Sequence, residues 1–172
     1  MRPLFSEQLQ KGTIMAAAKR HKAGEVACED AVIAQAIDIL RSRMKAEGIK
    51  LSSPNQVKAY LICQFGTSDR EIFSVLWMDV RNRLIDHEIL FYGTLTHCSV
   101  YPREVVKAGL RLNAASCILV HNHPSGMPDP SEADQLLTRT LIQALALVDV
   151  RVLDHIIVAG TRTCSFAENG LI

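Results

Sequence analysis

Residues Ala115 to Asp134 read ASCILVHNHPSGMPDPSEAD. Ser116 to Val120 make a short apolar run with β-branched residues, the pattern of a buried strand leaving a core. His121 and His123 follow it. In extended backbone, residues two apart point to one face with their bases ~7 Å apart, so both imidazoles can converge on one ion. Pro124, Ser125, Gly126, Pro128 and Pro130 predict a rigid turn. Ser131 then opens an apolar-periodic helix, and a helix that starts there carries Asp134 back toward the histidines. Two imidazole nitrogens and one carboxylate oxygen are the ligand set of a catalytic zinc, which keeps its fourth position open for water. The plain alternative is a surface turn with two incidental histidines, followed by a helix whose cap is Ser131 with Asp134.

The order H-x-H-P-x(6)-S-x-x-D, carried by His121, His123, Pro124, Ser131 and Asp134, resembles the JAMM signature of MPN-type zinc metalloproteases. The strings YPREVVKAGLRLNAASCILVHNHPSG and VRVLDHIIVAG are similar to the bacterial RadC family, and the likeness runs over 52–172. The resemblance implies a zinc-dependent hydrolase that cleaves peptide or isopeptide bonds, on a cytidine-deaminase-like α-β-α sandwich. It also implies roles. Glu71 matches the upstream glutamate that serves as general base, about fifty residues before the first histidine; Glu88 is its competitor but is expected in mid-strand. Ser131 takes the place of the oxyanion donor. Asp154 and His155, in VLDHIIV, read as satisfied core residues, or through the resemblance as residues that orient a ligand.

The chain has 172 residues, 48% of them hydrophobic, with net charge +1, the composition of an ordinary globular domain. The charge is uneven. Residues 1–24 hold Arg2, Lys11, Lys19, Arg20 and Lys22 against Glu7, which leaves the rest of the chain at minus three. The tail, 1–27, is therefore expected to be basic and disordered or loosely docked, with weak nucleic-acid contact as its one suggestive property. The RadC resemblance implies two alternative functions, a DNA-repair-associated accessory, from the label that family once carried, and a non-catalytic scaffold, since domains of that family can lack activity. The literal string His-Asn-His lends no support to a nuclease, because nucleases of that name spread the three residues over a ββα element.

Five scattered cysteines without a C-x-x-C pair predict buried thiols in a reducing cytosol, and neither a disulfide framework nor a zinc deaminase. No apolar stretch approaches ~20 residues, so the expectation is a cytoplasmic protein without a membrane span.

Working outward, Ile33, Ile37, Leu40 and Met44 recur at helical spacing and predict an amphipathic helix over 29–47, ended by Gly48, within an N-terminal segment 28–50. That stripe needs a surface to cover, either the main domain, 51–172, or a second copy in a homodimer. Ser53-Pro54 starts a helix to about Gln64. Glu71 to Met78 and Leu84 to Phe91 read as an antiparallel hairpin. Pro102 begins a helix that buries Val105, Gly109 and Leu112, with Val106 and Leu110 beside them. The helix 131–148 should bury Ala133, Leu137, Leu141, Ala144 and Val148. Strands follow at 150–159 and 164–167. His87 and His97 have no partner spacing and read as surface or loop residues. Helices alternating with strands that include one hairpin predict an α/β fold: a mixed sheet with helices on both faces.

Overall fold

Seven consecutive residues, Ile72–Met78, are buried along their whole length. Only a strand covered on both faces tolerates such a run, and β1 (Ile72–Met78) is indeed an inner strand of the sheet. The computed structural model describes residues 28–42, 54–94 and 99–172. Helix α1 spans 28–42. The chain divides near Asp38 into an N-terminal unit and the unit Ile39–Ile172. The second unit contains α2 (Pro54–Phe65), β1, β2 (Leu84–Tyr92), α3 (Pro102–Arg111), β3 (Ser116–Asn122), α4 (Glu132–Ala146), β4 (Arg151–Ala159) and β5 (Arg162–Ser165). The expected tail, the expected end of the first helix with Met44 and Gly48, the Ser53 cap and His97 lie outside the described residues.

The strand order is β2-β1-β3-β4-β5. β1 pairs antiparallel with both β2 and β3, β4 pairs antiparallel with β5, and β3 with β4 is the one parallel pair. That parallel pair needs a crossover, and α4 supplies it. Alternation along the strands assigns the two faces. Phe73, Val75 and Trp77 lie opposite His121, Leu119 and Cys117 and pack with Val105 and Ala108 of α3 and with Leu141 and Leu145 of α4. On the other face Ser74 bonds His87, which meets Tyr60 and Phe65 of α2. The α/β fold with a mixed sheet and helices on both faces is therefore as the sequence predicts.

Five expectations need correction. On α4 Leu141 is buried as expected and Leu137 and Val148 pack against the core, but Ala133 is exposed, and Asp134, Thr138 and Leu145 share the inward face. On α3 Leu110 is exposed, and Ala108 and Gly109 are buried beside Val105; Trp77 lies so close that a Cβ on Gly109 would stand 3.0 Å from its ring. His87 is no surface residue: burial lowers its pKa to about 4, and it bonds the Tyr60 hydroxyl at 2.6 Å. Of the described cysteines only Cys117 is buried, with its thiol pushed up to about 12 by that burial, whereas Cys28 and Cys63 are exposed. The last strand also begins earlier, at Arg162, because Gly160 in the left-handed region (φ 61°) closes a tight turn directly after β4.

Candidate metal centre

Buried polar side chains are the informative exceptions in a core. His121, Asn122, Thr138 and His155 are all buried, and all four lie around the end of β3. The run predicted to end at Val120 continues to Asn122, so His121 remains on the α3/α4 face, opposite Phe73. His123 follows directly, its N–H donating to the Val158 carbonyl at 2.8 Å. Beyond it the chain turns at Gly126, in the left-handed region at φ 77°, and Arg162 of β5 donates to the Gly126 carbonyl. At the start of α4 the expected capping box is present: the Asp134 N–H donates to Ser131 Oγ at 3.2 Å, and the Ser131 N–H donates to Asp134 Oδ2 at 2.8 Å. The Ser131 hydroxyl also donates to that carboxylate, at 2.6 Å.

These elements bring His121, His123 and Asp134 together. His121 Nε2 lies 2.9 Å from His123 Nε2 and 3.2 Å from Asp134 Oδ1, and His123 Nε2 lies 3.5 Å from Asp134 Oδ2. Among the described residues this is the one group of three or more such side chains with converging ligand atoms. Each side chain offers one ligand atom and these lie within 4.8 Å of one another, close enough to share a single metal ion. Two facing imidazole nitrogens beside a carboxylate also need positive charge between them, and a divalent cation supplies it with both rings neutral. Burial of Asp134 would raise its carboxyl, but hydrogen bonds and charge from His121 and His123, with Ser131, hold it far below the usual carboxylate range. The same Asp134 holds the His123 imidazole above its ordinary value, against its burial.

Hydrogen bonding fixes which nitrogens face the centre. His123 Nδ1 donates to the Met127 carbonyl at 2.7 Å, leaving Nε2 as the free lone pair. For His121 the order is set from the far end of a chain. The Thr138 hydroxyl donates to the Asp134 carbonyl at 2.6 Å, so its oxygen accepts from His155 Nδ1, also at 2.6 Å. His155 Nε2 then accepts from His121 Nδ1 at 2.8 Å, which leaves His121 Nε2 with its lone pair toward Asp134. Burial keeps His155 well below its ordinary pKa, as a neutral relay. Asp154 has a separate task. Its carboxylate accepts from the Ala167 N–H and the Ser165 hydroxyl and ties down the turn after β5.

Glu71 stands one residue before β1 and lines a cleft of about 380 Å³ together with His121 and Asp134; Phe73, Tyr101 and Leu137 form apolar parts of its wall. Its competitor Glu88 is paired with Arg111 at 2.5 and 2.7 Å, away from this cleft. Sequence reasoning passed over Asn122 and Thr138. Thr138 carried a signal, since it sits four residues after Asp134 and so one turn along the same face.

A family profile described as RadC-like JAB domain matches residues 51–171. The chain belongs to this family. Its RadC-like JAB domain is similar to curated UPF0758 proteins. One from Janthinobacterium sp. (strain Marseille) is 61% identical over 123 residues, 72% of this chain and 55% of the relative. UPF0758 protein PSHAa2643 from Pseudoalteromonas translucida (strain TAC 125) is 56% identical over 133 residues, 77% of this chain and 59% of the relative. The chain thus spans little more than half the length of these relatives. What it contains of them is the RadC-like JAB domain with the His121, His123 and Asp134 cluster. No helix among the described residues is long and apolar enough to cross a membrane.

Proposed function

We propose that this domain is a zinc-dependent hydrolase acting on peptide or isopeptide bonds, with His121, His123 and Asp134 as metal ligands and Glu71 as general base. The observation that carries the reading is the convergence of two oriented imidazole nitrogens and a carboxylate beside a cleft that Glu71 also lines. A zinc ion held by this donor set supplies Lewis acidity, enough to make water lose a proton near neutral pH. Glu71 accepts that proton and returns it to the leaving amine, a base that becomes an acid within one turnover. Ser131 holds Asp134 in its ligand position, and its hydroxyl turns from that carboxylate to the developing oxyanion. A donor in that role contributes roughly 3 kcal/mol to the transition state. Tyr101, largely exposed at the mouth of the cleft, and the apolar wall of Phe73 and Leu137 receive the substrate backbone and its side chains.

A peptide-library cleavage assay tests this directly. Zinc-loaded protein should cut a subset of peptides, and Glu71→Gln should lower turnover at least ~100-fold while retaining the metal. Cleavage that persists undiminished in Glu71→Gln would remove the general base from the mechanism. Nothing among the described residues favours the nucleic-acid alternative, whose basic tail lies outside them.

A further inference from the structure

Asn122 sits between the two histidines, so alternation along β3 points its side chain to the opposite face of the sheet, the face that Val120 shares. A buried amide in such a place demands partners for its donors and acceptor. It finds them on either side of a single residue. Asn122 Oδ1 accepts from the Ile72 N–H at 2.7 Å, and Nδ2 donates to the Arg70 carbonyl at 3.0 Å. Between them, Glu71 donates its own N–H to the Thr94 carbonyl at 2.9 Å and accepts from the Gly93 N–H at 2.8 Å. The β1/β3 ladder runs out at Phe73 opposite His121, two residues short of Glu71. Past that point the Asn122 amide replaces the backbone pairing that a longer strand would provide.

We propose that Asn122 is a positioning residue that holds Glu71 in register with the His121, His123 and Asp134 centre. The inference rests on the metal-centre reading above. One tripeptide then does two things: its outer residues supply two ligands of the centre, and its middle residue grips, from behind the sheet, the backbone on either side of the base. An apolar side chain at 122 would leave the Ile72 N–H and the Arg70 carbonyl without these partners, so that Glu71 keeps only its bonds to Gly93 and Thr94 on the β2 side and loses its tie to β3.

The test uses the full chain loaded with cobalt(II), comparing wild type, Glu71→Gln, Asn122→Ala and the double variant. Asn122→Leu, nearly isosteric but with neither donor nor acceptor, is the second probe should Asn122→Ala fold poorly. All should take up one cobalt per chain. Loss of the Glu71 carboxylate should lower the pH inflection of the cobalt absorption by about one unit. Asn122→Ala and Asn122→Leu should lower it in the same direction, and the double variant should move no further than Glu71→Gln alone. In parallel, amide hydrogen exchange at Ile72 should quicken at least ~10-fold in Asn122→Ala, with Val75 and Leu119 unchanged. A wild-type inflection in both Asn122 variants, or additive shifts in the double variant, would overturn the positioning role. Absence of cobalt uptake by wild type would instead sink the metal-centre reading; the exchange at Ile72 would then still decide whether Asn122 grips this backbone.

Discussion

His121 depends on residues that never approach the substrate. The chain from Thr138 through His155 sets its tautomer, so a break anywhere along it allows the ring to present a protonated nitrogen to the metal. Thr138→Val removes the far end while keeping size and helix position. It should weaken zinc binding ~10–100-fold with the fold intact, measured by competition with a chromophoric chelator; unchanged affinity would mean that His121 is oriented without the relay. The ligands were legible because their chemistry is encoded locally, in a strand exit, a proline-rich turn and a helix start within twenty residues. Asn122 was not, since an asparagine between histidines acquires meaning only through partners fifty residues away, and Thr138 was marked only by its place one turn after Asp134, its partner His155 lying seventeen residues on.

Helix α4 shows how a site overrides an apolar pattern. Reading the leucines and alanines alone puts Ala133 inside, whereas the inward positions at this end are Asp134 and Thr138. Helix α3 shows the same limit through size. Gly109 lies against the Trp77 ring, which is fully buried. Gly109→Ala would gain ~1 kcal/mol from helix propensity, but overpacking costs ~1–3 kcal/mol. The expected result is a net loss of roughly 1 kcal/mol in urea unfolding; a stabilised variant would show that α3 can move away from the sheet. The strands, by contrast, were legible to within about two residues at each end, because apolar runs mark the inner ones and short turn signals bound them.

At the scale of the whole domain, the two faces of the sheet have different tasks. The α3/α4 face carries the candidate metal centre, and the α2 face carries His87 with its partners Tyr60 and Phe65. This histidine titrates at about 4 in the folded chain, against about 6.5 unfolded, because burial disfavours its charged form. The unfolded chain therefore binds the extra proton first. The stability that neutral His87 contributes is complete above pH ~6.5 and is lost as pH falls toward 4, by up to roughly 3 kcal/mol. His87→Gln should flatten the dependence of unfolding free energy on pH between 6.5 and 4; an unchanged slope would place the acid sensitivity elsewhere. The sequence did not reveal this residue, because its partners Tyr60 and Ser74 come from two other elements.

Elemental analysis of the purified chain reaches the central claim most directly. Wild-type protein should hold about one zinc per chain after dialysis, and His121→Ala and Asp134→Ala should each hold essentially none while keeping wild-type far-UV circular dichroism. Full zinc occupancy in both variants, or a wild-type chain that takes up no divalent metal, would contradict the account.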